Sequence, residues 1–136
     1  NNEALNLILS SYADQARDAE IDVQISVTAT DFARFQITDL CSLFANALEN
    51  AIHACEKIPT SEKRYITLKV FEKNGRICIN IANNYVQNPV FENEIPTSHE
   101  ANHGIGVRSM ISVVEKYHGV YGFFTENKEF RFQASL

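Results

Sequence analysis

The stretch Leu43–Cys55, LFANALENAIHAC, decides the fold and poses a problem. Leu43, Phe44, Ala47, Leu48, Ala51, Ile52 and Cys55 recur at spacings of three and four, the period of an amphipathic helix. Yet Asn46 and Asn50 stand inside it, one turn apart. Asparagine forms helices poorly, because its side chain competes for backbone hydrogen bonds. Extended outward, the pattern predicts a helix over 38–57. Leu40 joins its apolar face, Thr38 or Asp39 caps its start and Pro59 marks its end. Asn46, Glu49, Asn50, His53 and Lys57 form one polar stripe beside that face. Taken alone, a solvated face is the plainer reading. Against it, exposed helix surface is more usually filled with Lys, Glu or Gln. A neutral amide carbonyl oxygen also suits a hard cation such as Mg²⁺, which takes few protein oxygens while bridging phosphates.

Upstream, Leu5, Ile8, Leu9, Tyr12, Ala13 and Ala16 predict a helix over 3–19, and the alternation Ile21, Val23, Ile25, Val27 predicts a strand over 21–29. Downstream, strands over 65–72 and 76–82 flank KNGR, where Asn74-Gly75 signals a tight hairpin. A long irregular segment, 85–103, follows with Pro89 and Pro96; such a length within a compact domain points to a functional lid or disorder. Tyr85, Val86, Val90, Phe91 and Ile95 are its few large apolar anchors. A third helix over 105–117, opened by HGIG and stopped before Gly119, precedes a closing hairpin over 119–136 that turns at Glu126-Asn127-Lys128. The order α-β-α-β-β-lid-α-β-β is not a regular β-α-β alternation. It predicts an α+β, two-layer sandwich: one mixed, mostly antiparallel sheet with three helices on one face.

At 136 residues, with 45% apolar and 21% charged residues, the chain suits a single domain over 1–136. Its formal charge of −5 argues against a general binder of nucleic acid or of membrane surfaces, while leaving room for a local cationic site. Cys41, Cys55 and Cys78 lack metal-ligand spacing and read as buried, reduced thiols of a reducing compartment. No apolar run approaches the roughly 20 residues of a membrane span.

Two further stretches carry polar groups at suggestive places. His103–Met110, HGIGVRSM, sets Gly104 and Gly106 at a helix start, where free N–H groups and the dipole favour phosphate; a simple loop-to-helix joint is the alternative. Asn83 and Asn84 end the strand INIA, where side chains commonly meet ligands, although taken alone a plain Asn turn is the preferred reading.

Taken together and in order, these segments resemble the GHKL ATPase superfamily, and more closely the ATP-binding catalytic domain of sensor histidine kinases. NALENAIHA matches the N box, HGIGVRSM the G2 box and VVEKYHG the helix that follows. The opening LNLILSSYADQA is similar to the quorum-sensing peptide-receptor branch. The resemblance implies a Bergerat-type fold with an ATP lid over about 85–103, and ATP with Mg²⁺ as ligands. It implies Asn50 as the Mg²⁺ ligand and Asn46 near the phosphates. The implied nucleotide site includes His53, Asn83, Asn84, His103, Gly104, Ile105, Gly106, Val107 and Arg108. Hydrolytic relatives carry a glutamate at the position of Asn46, and an asparagine has no comparable basicity. The one departure is the G1 box, where Asn83 of NNYVQ stands for an aspartate and the glycines are missing; an asparagine carbonyl can still accept from an adenine amino group. The implied partners are an upstream histidine-bearing dimerisation domain and, indirectly, a response regulator. The implied setting is a homodimeric, membrane-anchored sensor whose catalytic domain is cytoplasmic and touches neither membrane nor nucleic acid. Two rivals are an anti-sigma-type serine-protein kinase of the same superfamily and a degenerate interaction domain. Of the chain's histidines, His53, His99, His103 and His118, none lies in a helix suited to phosphoacceptance.

Overall fold

The computed structural model describes residues 2–97 and 103–136, the latter without side-chain placement at 103–105. Its elements are α1 (Glu3–Asp18), β1 (Asp22–Val27), α2 (Ile37–Glu56), β2 (Tyr65–Lys73), β3 (Arg76–Asn84), β4 (Val90–Glu92), β5 (Ile95–Thr97), α3 (His103–Lys116), β6 (Val120–Glu126) and β7 (Glu129–Ser135). Five strands form one sheet in the order β1-β2-β3-β7-β6, with β1 parallel to β2 and every other pair antiparallel. The three helices layer on one face, α2 in the middle. This is the mixed, mostly antiparallel two-layer α+β sandwich that the element order predicts.

Period-two alternation decides which face is covered. Ile66, Leu68 and Val70 of β2, Ile77, Ile79 and Ile81 of β3, and Phe132 and Ala134 of β7 are buried under the helices. α2 returns the contact with the whole predicted stripe, from Leu40 to Cys55. The facing hairpins turn on two residues with positive φ, Asn74-Gly75 and Asn127-Lys128. The second is shorter than expected, because Glu126 still pairs with Glu129 in the ladder.

Other expectations need correction. Neither Thr38 nor Asp39 caps α2: Gln36 holds the cap position without a side-chain bond. Asp39 is drawn away by α3, accepting from Lys116 Nζ (2.8 Å) and Tyr117 Oη (2.5 Å), while Tyr117 Oη accepts from Gln36 N–H at 2.9 Å. The Lys116 bond, then the Tyr117 bond, hold the Asp39 carboxyl below its usual range. The segment after β3 is not wholly irregular: β4 and β5 pair as a hairpin around Asn93-Glu94, both at positive φ. Residues 98–102 of the expected lid, His99 included, lie outside the described residues. α3 begins at His103, so Gly104 and Gly106 belong to its first turn rather than to a preceding loop. All three cysteines are free, but only Cys55 is buried. Burial pushes its thiol up to about 11, so it stays protonated at neutral pH.

One buried cation, Arg64, escaped the sequence reading. It lies just before β2 and is 9% exposed. Its Nη1 donates to Ala19 O at the end of α1 (2.7 Å), its Nη2 to Glu56 O at the end of α2 (3.1 Å) and its Nε to Ile58 O (2.9 Å). A positive charge at two helix C-termini also meets both dipoles favourably. Arg64→Ala orphans those carbonyls and should lower stability by on the order of 3 kcal/mol, read by urea unfolding with an unchanged slope. A loss below about 1 kcal/mol would mean that water satisfies the carbonyls equally well.

Candidate functional site

The C-terminal half of α2 forms one wall of a cavity of about 270 Å³, close to the lower end of the usual range for ligand pockets. Asn50, His53, Ala54 and Lys57 line that wall. Asn83 and Phe130, partners in register on β3 and β7, form the sheet side. Tyr85, Gln87 and Asn88 follow from β3, and Val90, Pro96 and Thr97 of the β4–β5 hairpin close the outer side. Val107 contributes from α3. No carboxylate is among these lining residues, whereas Lys57 and His53 are. In a chain of net charge −5, that is a local setting for an anion.

Asn83 is the most informative member. It continues the inward row Ile77, Ile79, Ile81, yet it is polar and only 3% exposed. A buried amide needs partners. Its Nδ2 donates to Asn84 O at 3.0 Å, so one amide N–H is committed and Oδ1 is the acceptor of this side chain. Asn84 points the other way. Its Oδ1 accepts from Tyr65 N–H (2.9 Å) and its Nδ2 donates to Lys63 O (2.8 Å), which fastens the start of β2. Asn84 is therefore a structural clasp and does not line the cavity.

The two α2 asparagines are oriented by their amide nitrogens. Asn46 Nδ2 donates to Ser42 O one turn back at 2.8 Å, and Asn50 Nδ2 donates to Met110 Sδ of α3 at 3.7 Å. Both carbonyl oxygens then converge on Gly106. A Cβ at Gly106 would lie 3.2 Å from Asn46 Oδ1 and 3.7 Å from Asn50 Oδ1. Glycine there lets the first turn of α3 approach α2 closely. Two hard, neutral oxygens near one point form a donor set that fits Mg²⁺ sharing a bound phosphate, since Mg²⁺ usually keeps waters rather than taking an all-protein cage. Among the described residues no cluster of His, Cys, Asp or Glu could hold a metal by itself.

Of the predicted site residues, the fold thus brings Asn50, His53, Asn83 and Val107 to one cavity, with Asn46 and Gly106 beside Asn50. Arg108 is exposed on α3 and does not line the cavity. The side chains of His103 and Ile105, and the surroundings of Gly104, lie outside the described residues. Glu49, part of the polar stripe, accepts a hydrogen bond from Tyr12 of α1 and so serves helix packing. Burial first, and that bond second, push the Tyr12 hydroxyl up to about 12. Sequence reasoning missed Ala54 and Phe130 as lining residues, and it placed the lid at the site without seeing that 90–97 form a hairpin. Phe130 was within reach, because it shares the inward parity of Phe132 and Ala134.

Gly106→Ala tests the convergence. Alanine gains about 1 kcal/mol of helix propensity over glycine, so the domain should stay folded. The added methyl should displace Asn46, read as a shift of its side-chain amide in an NMR spectrum. An unmoved resonance would mean that the approach is looser than 3.2 Å.

Residues 35–136 match the family model of the GHKL domain. No curated protein is significantly similar in sequence. Among solved structures, the catalytic domain of the histidine kinase ThkA superposes with a TM-score of 0.78 at 15% identity, over 99% of this chain and 90% of that one. The mycobacterial sensor histidine kinase MprB gives 0.75 at 14%, over 98% and 93%. Full-length ShkA in complex with AMPPNP gives 0.67 at 16%, over 96% of this chain and 29% of that one. At such identities the structural likeness speaks for the fold, which is that of histidine kinase catalytic domains. The family match spans three-quarters of the sequence and includes both asparagines of α2, Asn83 and α3: the chain belongs to the GHKL family.

Proposed function

We propose that this domain binds Mg-ATP in the cavity between α2, the end of β3 and the β4–β5 hairpin, and donates the γ-phosphoryl group to a histidine on an upstream dimerisation domain of a two-component sensor kinase. The observation that carries the reading is Asn83: a buried amide at the end of an apolar row, in one cavity with Asn50, His53 and the cationic Lys57. In this reading Asn83 Oδ1 accepts from the adenine amino group. Lys57 and His53 attract the phosphates, and Asn50 Oδ1, with Asn46 Oδ1 beside it, holds the metal. Bound Mg²⁺ supplies charge neutralisation at the phosphates. What this chain does is position and exclude rather than move protons. Among the described residues no carboxylate lines the cavity, and Asn46 has no useful basicity, so none of these side chains activates water. Slow hydrolysis is what a kinase needs if a protein acceptor is to compete with solvent.

The same reading extends to a peptide-receptor kinase of the quorum-sensing type, acting as a cytoplasmic part of a membrane-anchored homodimer that passes phosphate on to a response regulator. Among the described residues no helix is long and apolar enough to cross a membrane.

Titration calorimetry on Asn50→Ala is the first test. The substitution truncates a half-buried polar side chain outside the core stripe, so the fold should persist while Mg-dependent ATP affinity is lost. Unchanged Mg-ATP affinity in the folded variant would remove Asn50 from the metal site. Transfer of label from γ-labelled ATP is the second. The domain alone should remain unlabelled, and addition of the upstream histidine-bearing segment should yield acid-labile, base-stable phosphorylation of that segment. Labelling of a serine on a separate protein would favour an anti-sigma-type kinase, and failure to bind ATP at all would identify a degenerate interaction domain.

A further inference from the structure

The β4–β5 hairpin should not stand by itself. Each strand is three residues long, and among the described residues the pair forms a two-stranded sheet of its own. An isolated two-stranded hairpin of that size is marginal in water. Val90 is 59% exposed, so that position contributes little burial. Ile95 packs against the core from β5, and Phe91 does so from β4, where it adds a ring contact. The Phe91 ring is half-buried and stacks on Phe130, with centroids 6.2 Å apart and planes 30° from parallel. Phe130 in turn touches the ring of Phe123 in the core at 6.2 Å. Phe130 also lines the cavity and pairs in register with Asn83. One continuous contact therefore runs from the hairpin wall through Phe91 and Phe130 to the strand end.

We propose that Phe91 is a positioning residue for the nucleotide: by stacking on Phe130 it sets the distance between the hairpin wall and Asn83, and so holds the base-binding end of the cavity at its working width before any ligand arrives. The inference rests on the nucleotide reading above. With the ring removed, Val90, Pro96 and Thr97 lose their fixed distance from the sheet, and a ligand has to order the hairpin as it binds.

The test is titration of the whole domain with Mg-ADP, joined to hydrogen exchange of amides 90–97. Phe91→Ala should raise Kd about tenfold, the scale of one lost aromatic contact, and should speed exchange of the hairpin in the ligand-free protein. Phe91→Tyr, which keeps the stack, should recover the affinity. In an Asn83→Ala background the effect of Phe91→Ala should fall below about threefold, because both residues serve the same end of the cavity. If Phe91→Ala does not fold, Phe91→Leu carries the test, with a loss of about threefold expected. Native affinity in folded Phe91→Ala or Phe91→Leu, or an undiminished tenfold loss in the Asn83→Ala background, would overturn the positioning role while leaving the nucleotide reading intact. Absence of Mg-ADP binding by the unmodified domain would overturn both.

Discussion

The ends of α1 and α2 are tied to the start of β2 by one guanidinium. Arg64 gathers the carbonyls that end α1 and α2, and its own carbonyl accepts from Asp22 N–H at the start of β1. Helix C-termini leave carbonyls without intrahelical partners, and burying them unpaired is costly. A charged donor solves that problem for two helices at once. The last turns of α2 are thereby held against the start of β2, where Asn84 clasps Tyr65 and Lys63. The wall that carries Asn50, His53 and Lys57 and the strand end that carries Asn83 belong to this same corner. The cavity is a consequence of how the helix ends are satisfied.

α2 serves two roles along one length. Its apolar stripe fills the core, and the adjoining stripe is divided between packing and chemistry. Glu49 is bound by Tyr12, Asn46 turns its amide back onto Ser42, and Asn50 gives its amide to Met110. In each asparagine the nitrogen is spent on structure and the oxygen is left facing Gly106. At its other end α3 is pinned to α2 by the cluster of Gln36, Asp39, Lys116 and Tyr117. Gly119 shows how tightly that end is built: a Cβ there would lie 2.5 Å from Ser135 O. The left-handed conformation that ends α3 falls instead on His118, whose N–H and that of Gly119 return to Glu115 O and Val114 O.

The parts of this account that were legible in the sequence are those set by period and by turn chemistry. The buried faces of α2 and β3, the Asn74-Gly75 hairpin and the order of elements follow from apolar spacing, because burial drives both periodicity and fold. Asn46 and Asn50 were visible as misfits in a good helix. What escaped was decided by distant partners. Asp39 reads as a cap until Lys116 and Tyr117 claim it. Asn83 and Asn84 are indistinguishable neighbours in the sequence, and only the pleat sends one into the cavity and the other onto the backbone of Lys63 and Tyr65. Asn93-Glu94 lacks the glycine that marks a tight turn, so the β4–β5 hairpin was hidden in a stretch read as irregular. Arg64, next to Lys63 after a polar turn, carried no signal of burial.

The central claim is that the corner between α2, the end of β3 and the β4–β5 hairpin is the nucleotide site. Amide chemical-shift mapping of the labelled domain tests it most directly, with ATP added in the presence and absence of Mg²⁺. The account predicts shifts confined to residues 46–57, to Asn83, to 90–97, and to the neighbourhoods of Gly106, Val107 and Phe130, with those nearest Asn50 dependent on the metal. Shifts that map instead to the open face of the sheet, around Thr67, Lys69, Asn80 and Gln133, would contradict it.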